Sequence, residues 1–485
     1  MLQMTETTPL LRDAGQRTDS TGPTRLIHRR SAVVVLIAII VFIIDLGASM
    51  QSASQVAVYE EIICRRYLNG LSVVASPEAC KADPIQSELA AVNGWKNTLD
   101  MIPGIVLGAS YGFMADQRGR WPVLILSMGG MLLAQTSHLA ICWLQPAVPL
   151  RAVWLAPFFQ LVGGGGATAT TVLSVVVADL YSEEERPTVL SRIFGVIFAA
   201  QLLGMAITGL VISISPWIPF ATSVMMLMIG CVLTCFLPET HPRTTAAKII
   251  RPCSPSESAI ESEDQARADS ANSTLLNTMR QAMNTVYAIM ANGSARGIIA
   301  CLLAEGMGTQ STSLLLQYAS TRFGWTYTEG TNLLAVKLGI STGILLVIFP
   351  WLSRALATKL SLDQKWLQKA LAQVSLAFLM IGYLVVFLTG RSIGLIGGIV
   401  TTALGAGSEL AARNLLMAVV EPEILGLACS AIPLVQSIAS LASVPMLVAS
   451  FRWGIHQGNG WMGAPFLIAT VLCALANVAL TTVRV

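Results

Sequence analysis

The chain has 485 residues, of which 54% are hydrophobic and 12% are Asp, Glu, Lys or Arg, against about 25% charged residues in an ordinary soluble domain. A mean hydropathy of +0.66 excludes intrinsic disorder, and a formal charge of +3 is too small to suggest a nucleic-acid-binding protein. The nine cysteines show no paired metal-ligand spacing, so neither a zinc module nor a disulfide-dense secreted fold is indicated. The composition predicts a polytopic membrane protein.

Long apolar runs recur along the chain. A helix needs about 20 mostly apolar residues to cross the hydrocarbon layer, and the runs are continuous over that length, so we predict transmembrane helices rather than barrel strands. The fold class is therefore all-α. The twelve predicted spans lie near residues 32–55, 93–114, 121–143, 152–178, 188–213, 219–238, 297–318, 330–352, 369–389, 392–417, 424–450 and 461–482.

A polar stretch interrupts the apolar pattern after the sixth span. Residues 241–296 are rich in Ser, Glu, Asp and Arg, which predicts a linker between two six-helix bundles at 32–240 and 297–485. Residues 1–31 form a polar tail. Lys and Arg concentrate in the tail, the linker and the loops on the same side, so the positive-inside rule places both termini and the linker in the cytoplasm.

A charged motif follows the second predicted span. It reads Gly112-Phe-Met-Ala-Asp116-Gln-Arg118-Gly119-Arg120. The motif closely resembles the loop signature of the major facilitator superfamily, although the usual basic residue directly after the acid is absent. The twelve spans and the polar middle linker agree with that family. The resemblance implies the major facilitator fold, with two pseudo-symmetric six-helix bundles, and a transport function.

Two further segments carry the resemblance. Leu237-Pro-Glu-Thr240 ends the sixth span as in that superfamily. The stretch from Tyr59 to Tyr67, reading YEEIICRRY, is similar to a segment of filamentous-fungal facilitators encoded with natural-product pathways. That branch is distantly similar to proton-coupled folate transporters. The narrower resemblance implies proton-coupled efflux of a secondary metabolite or xenobiotic.

Two departures leave the direction of transport open. Proton-driven exporters of the superfamily usually carry an Arg in the fourth span before a Gly-rich run, and here Gln160 precedes Gly163 to Gly166. Their fifth span usually ends in a Gly-Pro motif, whereas the stretch from Gly204 to Gly209 lacks Pro. Uptake of a nutrient or an anionic molecule is therefore the alternative to efflux.

The loop motif predicts a gate at the cytoplasmic side. Asp116 lies where the second helix meets the cytoplasm, and it could face a helix N-terminus or an Arg when the inner side closes. Gly112 would permit close helix approach, and Gly119 would permit a tight turn. A loop that only sets the membrane topology is the alternative.

Other charged residues complete the predicted gate. Glu409 and Arg413 are four residues apart and can pair on one helix, as a structural or gating pair rather than a substrate contact. The loop after the fourth span resembles an acid-and-Arg loop of the superfamily, and a solvated charge run is the alternative. The remaining predicted gating residues are Arg120, Asp179 and Arg186.

The first and seventh spans share a polar pattern. Each carries an acid followed by hydroxyl residues at i+4 and i+7, on one face of an ideal helix. We interpret these residues as paired walls of a central cavity for substrate and protons, because burial favours the neutral form of a carboxyl group and each acid could carry a proton. Tight helix packing by Ser, Thr and Gly is the alternative. The two sets are Asp45, Ser49 and Ser52, and Glu305, Thr309 and Thr312.

Lys337 is a deep cation in the eighth predicted span. It could neutralise Glu305, attract an anionic substrate, or extend to the membrane interface. Cys64 and Cys80 both fall in the first predicted outer loop, where oxidation is permitted. They could form a disulfide or remain two thiols.

These observations predict a secondary active transporter that moves a small amphipathic organic molecule by alternating access. No P-loop and no nucleophile-base arrangement is recognisable, so we predict neither an ATP-driven pump nor an enzyme, and no cofactor or metal. The expected partners are a small-molecule substrate, protons and the lipid bilayer, without nucleic acid, and the chain is expected to act as a monomer. A non-transporting membrane sensor is the alternative of another class.

The sequence indicates less about which cellular membrane contains the protein than about its fold. We expect the plasma membrane. The tail segment from Glu6 to Leu11 has the form of an acidic dileucine sorting signal, which keeps a vacuolar or endosomal membrane open.

Overall fold

The computed structural model describes residues 23–71, 79–181, 186–239, 293–349, 351–352, 355–356, 364–419, 422–458 and 460–483. The described residues are almost entirely helical, as the sequence predicted. The predicted linker lies mostly outside this range, and so do the dileucine-like segment and most of the N-terminal tail. The predicted bundle boundaries therefore stay predictions.

The first helix set contains six long helical segments. The fourth predicted span is a 3₁₀ helix (Leu150–Leu161) followed by α4, and Gly163, Gly164 and Gly165 break it with positive φ angles. The α-helices of this set are α1 (Pro23–Leu71), α2 (Asp83–Arg118), α3 (Arg120–Trp143), α4 (Gly165–Leu180), α5 (Arg186–Val211) and α6 (Trp217–Thr234).

The second helix set contains more interruptions. A 3₁₀ segment (Gln310–Leu314) separates α7 from α8, and the tenth predicted span is divided into α11 and α12 at residues 405–407. A π-helical turn (Ile344–Ile348) extends α9. The α-helices are α7 (Gly293–Thr309), α8 (Leu315–Phe323), α9 (Tyr327–Gly343), α10 (Gln364–Leu388), α11 (Ser392–Leu404), α12 (Ser408–Val419), α13 (Pro422–Gln457) and α14 (Ala464–Thr481).

Ten helical segments of the described residues are long and apolar enough to cross a membrane. The two remaining predicted spans lie in α2 and in the segment from α7 to α8. Both are helical along the predicted span, but they carry more polar and charged side chains than the others, including Lys96, Asp100 and Glu305. A protein-lined environment for these helices explains their weaker apolar character, because polar groups facing lipid are costly.

The two helix sets pack against each other along two seams. Helix α2 packs on α13, and α5 packs on α9. Within the first set, α1 packs closely on α5 and α6, and within the second set α7 packs on α14. Among the described residues, buried apolar side chains form one large cluster centred on the second set, two further clusters centred on the first set, and a small one around Leu68 and Ile85. This arrangement leaves polar faces of α1, α2 and α9 directed toward the space between the sets.

Helix α1 extends beyond the predicted membrane span. Cys64 was expected in a loop, but it lies within α1, and it forms a disulfide with Cys80 in a 3₁₀ turn. Leu68 of this extension and Ile85 of α2 are buried together with Cys64, so the extension packs against the start of α2. We call the end of the helices that carries this disulfide the disulfide end; the sequence predicts it to face away from the cytoplasm.

Candidate functional site

Two adjoining cavities lie between the helix sets. Their volumes are about 390 Å³ and about 430 Å³, and both are lined by Ser52, Met205, Thr312 and Leu334. We call the combined space the central cavity. Its walls come from α1, α2, α3 and α5 of the first set, and from α8, α9 and the 3₁₀ segment of the second. Its position predicts that motion of one set against the other changes access to it.

One carboxyl group and one ammonium group line the larger cavity. Asp45 accepts a hydrogen bond from Gln201 Nε2 at 3.1 Å. Lys337 Nζ donates to Thr312 Oγ1 at 3.0 Å. Neither Asp45 nor Lys337 forms an ion pair with another described residue. Both charged groups are therefore available to a ligand in the cavity.

The hydroxyl groups after Asp45 are partly committed to their own helix. Ser49 Oγ donates to the Leu46 carbonyl oxygen at 2.9 Å, and Ser52 Oγ donates to the Ser49 carbonyl oxygen at 2.9 Å. Ser49 is buried beside Gly204 of α5, whereas Ser52 is exposed. Ser52 can therefore offer its oxygen as an acceptor in the cavity.

Glu305 occupies different surroundings from Asp45. Its side chain is 4% exposed and is not among the residues that line the central cavity. Glu305 Oε1 contacts the Ser408 hydroxyl at the start of α12, and Glu305 Oε2 is buried without a hydrogen-bond partner. The predicted symmetry of two acidic cavity walls is therefore absent in the described residues, because α12 covers this carboxyl group.

The predicted stripe on the seventh span is also divided. Thr309 ends α7, and its hydroxyl donates to the Gly306 carbonyl oxygen at 3.0 Å. Thr312 lies in the following 3₁₀ segment and lines the cavity beside Lys337. The i+4 and i+7 positions share a face only in a continuous α-helix, so the change to 3₁₀ geometry separates them.

A charged cluster that lies beside the smaller cavity was not identified from the sequence. Lys96 lines the smaller cavity, is 6% exposed, and pairs with Asp100 through a 2.6 Å contact between Nζ and Oδ2. Gln160 Nε2 donates to the other oxygen of Asp100 at 3.2 Å. Two charges four residues apart within one predicted span were the available signal, because such residues adjoin on a helix.

Polar contacts close the cavity at the disulfide end. Lys81 Nζ contacts Glu60 Oε1 of α1 and Ser320 Oγ of α8, each at 2.5 Å. Gln317 of α8 donates to the backbone oxygen of Gln86 in α2 at 2.7 Å. Within the described part of the chain, these contacts join the helix sets near the disulfide, which holds this side shut.

The predicted gating motif lies at the opposite end of α2. Gly119 has a φ of +107° and forms the tight turn between α2 and α3, a conformation that favours glycine. Arg120 Nε contacts Asp179 Oδ2 of α4 at 3.3 Å. Glu239, after α6, accepts backbone N–H groups of Arg120 and Trp121 at 3.0 and 3.1 Å. These contacts connect four helix ends of the first set.

Of three further predicted gating residues, the structure describes the surroundings of one. The side chains of Asp116 and Arg186 lie outside the described residues. Gly112 was expected to permit close helix approach, but no described atom of another helix lies within 4 Å of the position that a Cβ atom would occupy there. Close approach occurs instead at Gly204, where a Cβ atom would collide with Ser49 and lie 2.6 Å from the Leu46 carbonyl oxygen.

Glu409 and Arg413 form a pair that reaches a second helix. The distance from Arg413 Nη2 to Glu409 Oε1 is 2.6 Å. Gln436 of α13 accepts from Arg413 at 2.6 Å and donates to Glu409 at 2.7 Å. The pair therefore links α12 to α13 and is not part of the central cavity wall.

A helical membrane protein with a polar cavity between two helix sets, closed at one end, has the architecture of an alternating-access transporter. A model of the Major Facilitator Superfamily matches residues 37–444. The chain belongs to this superfamily, and it is a transporter rather than an enzyme. The predicted family and fold class are confirmed.

Curated relatives are named as fungal transporters. The chain is 29% identical to the MFS efflux pump atnC of Emericella nidulans, over 93% of this chain and 87% of the relative. It is 27% identical to the efflux pump ustT of Aspergillus flavus, over 94% of this chain and 89% of the relative. Similarity to these pumps thus extends over almost the whole chain.

Solved structures share the fold at low sequence identity. The nucleoside transporter NupG matches with a TM-score of 0.59 and 13% identity, over 93% of this chain and 99% of that chain. The human organic anion transporter MFSD10 matches with a TM-score of 0.59 and 14% identity, over 94% of this chain and 99% of that chain. These likenesses concern the fold alone.

Proposed function

We propose that this protein exports a small amphipathic organic molecule, such as a fungal secondary metabolite or a xenobiotic, in exchange for protons. The observation that carries the proposal is the central cavity between the helix sets. Its larger part is lined by Asp45 and Lys337 and has room for a small organic molecule. The curated relatives named efflux pumps support the outward direction. The proposal includes a monomer acting in the plasma membrane.

Asp45 is the proposed site of proton exchange. A carboxyl group in a cavity can bind either a proton or a hydrogen-bond donor of the substrate, so the two ligands compete. An exchanger requires such competition, because the cavity then reorients between the two sides of the membrane while it holds either a proton or the substrate. Gln201, which donates to Asp45, positions the carboxyl group without replacing the proton.

Lys337 favours a second candidate function. Its ammonium group lines the same cavity and has no acidic partner among the described residues. A substrate with an anionic group would supply that partner. Proton-coupled uptake of an anionic molecule is therefore the alternative, and it predicts the opposite response to a pH gradient.

The direction of coupling can be measured in proteoliposomes. We would select vesicles whose linker side faces the medium, add a library of amphipathic organic compounds, and identify those that accumulate inside by mass spectrometry. Export in exchange for protons predicts accumulation when the lumen is acidic. Accumulation only when the medium is acidic would establish uptake instead. Vesicles without protein, and vesicles with Asp45→Asn, are the controls.

A further inference from the structure

Five carboxamide side chains line one wall of the smaller cavity. Gln51 and Gln55 lie four residues apart on α1, Asn93 and Asn97 lie four residues apart on α2, and Gln135 lies on α3. Residues at this spacing share one face of a helix. We call these five residues the carboxamide wall.

The carboxamides pair across helices and leave groups unused. Gln55 Nε2 donates to Asn93 Oδ1 at 2.7 Å, and Gln51 Nε2 donates to Gln135 Oε1 at 2.6 Å. Each pair leaves one carbonyl oxygen and one NH₂ group unused within the pair. Asn97 makes no side-chain hydrogen bond to another described residue. None of these unused atoms is among the fully buried, unpartnered atoms of the described chain, so each keeps some accessible surface, although Gln51, Gln55 and Asn93 are only 8%, 5% and 5% exposed.

A buried aromatic cluster holds the wall in place. Gln51 Nε2 lies 3.4 Å from His138 Nδ1, and His138 Nε2 lies 2.5 Å from the Tyr59 hydroxyl. His138 and Tyr59 are fully buried, and the His138 ring packs against Phe220 at a centroid distance of 4.9 Å. A side chain fixed in advance loses less entropy when it binds a ligand.

The rest of the smaller cavity combines apolar and polar groups. Met205, Leu316 and Leu334 line it together with the carboxamide wall, and so do the hydroxyl residues Ser52, Thr312 and Ser313. Lys96, which also lines this cavity, is already paired with Asp100. An occupant that matches these groups needs apolar substituents and neutral groups that donate and accept hydrogen bonds close together. A secondary amide has one N–H donor and one carbonyl acceptor, which matches what each carboxamide pair leaves unused.

We propose that the carboxamide wall recognises amide groups of the substrate, so that the transported molecules are neutral or amphipathic peptide-like compounds with apolar side groups. This inference rests on the proposed transport function and specifies its substrate class. Carboxamides that only connected helices would be saturated by one another or covered by protein, whereas these leave donors and acceptors at the cavity surface.

The test compares amides with esters of the same shape. The probes are N-acetylated, C-amidated dipeptides and tripeptides with apolar side chains, and depsipeptides in which one internal N–H is replaced by oxygen. Binding is measured as thermal stabilisation of the purified protein in nanodiscs over a range of concentrations of each compound. We expect the amides to bind about tenfold more tightly than the esters, the loss typical of one hydrogen bond and its unpaired partner.

Three variants assign the effect to the wall. Gln51→Met and Asn97→Leu each remove a carbonyl oxygen that can accept the N–H of the substrate. The variant that removes the acceptor should reduce the preference for amides to about twofold or less, because a hydrogen bond contributes about 1 kcal/mol. Asn97→Leu leaves both carboxamide pairs intact, so it serves if Gln51→Met fails to fold. Gln310→Met is the matched control: Gln310 donates to Ser440 at 3.0 Å and does not line the central cavity. Its preference should equal that of the wild type.

Two outcomes would overturn the proposal: equal binding of amides and esters, or no binding by any amide of the set. The transport experiment separates this failure from failure of the proposed function. If the compounds accumulated in proteoliposomes contain no amide, and Asn97→Leu transports them normally, amide recognition is wrong while export stands.

Discussion

The surroundings of Asp45 and of Glu305 differ, although the sequence gives both acids the same spacing to their hydroxyl residues. Asp45 lies on a continuous α-helix and lines the central cavity beside Gln201. Glu305 is buried against Ser408, and its helix changes to 3₁₀ geometry before Thr312. The difference teaches that matching positions in two helix sets acquire different chemistry when one helix is interrupted and another helix covers its polar group.

The strongest way to test the comparison is to neutralise Asp45. Asp45→Asn should lower flux driven by a pH gradient to the level of protein-free vesicles, because the amide cannot exchange a proton at that position. Exchange of labelled for unlabelled substrate without a gradient should persist. The measurement is accumulation in proteoliposomes with and without an acidic lumen. Gradient-driven flux at the wild-type level would remove Asp45 from the mechanism.

A methyl group added to the helix packing near each acid should have different effects on the stability of the protein. Gly204→Ala places a methyl group against Ser49 and the Leu46 carbonyl oxygen, and should destabilise the protein by about 1–3 kcal/mol, the usual cost of overpacking. Gly306→Ala of α7 is the matched control, because its nearest neighbour, the Ala439 Cβ atom, lies at an ordinary 3.7 Å. Unfolding in detergent measures both. Equal stability of the two variants would contradict the difference in packing.

The seam around Glu305 depends on Ser408. The Ser408 hydroxyl contacts both Glu305 Oε1 and, at 2.9 Å, the Gly405 carbonyl oxygen. We expect Ser408→Ala to destabilise the protein by about 1 kcal/mol, a typical value for one hydrogen bond, without changing flux per folded molecule. Ser443→Ala is the control: Ser443 is buried, and within the described part of the chain its hydroxyl donates one hydrogen bond, to the Ser440 carbonyl oxygen of its own helix at 3.1 Å. Loss of flux without loss of stability would show that this seam takes part in transport.

Neutralising Glu305 should have the smallest effect. The Ser408 hydroxyl has a single proton, which it can donate to the Gly405 carbonyl oxygen. Its contact with Glu305 Oε1 is then a hydrogen bond only if the Glu305 carboxyl group is protonated and donates to the Ser408 oxygen. Glu305→Gln keeps that shape, and gradient-driven flux should stay within about twofold of the wild type, which corresponds to about 0.4 kcal/mol in activation free energy. The measurement is the same proteoliposome assay. A loss as large as that of Asp45→Asn would restore the predicted equivalence of the two acids.

Particular residues show how far the sequence reached. Asp45, Ser52, Thr312 and Lys337 were selected from the sequence, and all four line the same cavity. Lys96 and Asp100 were missed as a functional pair, because the sequence alone does not show that Gln160 and the cavity lie beside them. Cys64 was placed in a loop because apolarity, rather than helix length, defined the end of the first span.

The sequence by itself determined the membrane-spanning class, the approximate helices and the superfamily, because long apolar runs and a local loop motif need no knowledge of distant contacts. Only the tertiary structure decided which polar groups share a cavity. That outcome depends on the 3₁₀ segment after Thr309, on α12 covering Glu305, and on the pairing of carboxamides from α1, α2 and α3. Helix rotation and neighbouring helices set these contacts, and residue spacing along one helix does not encode them.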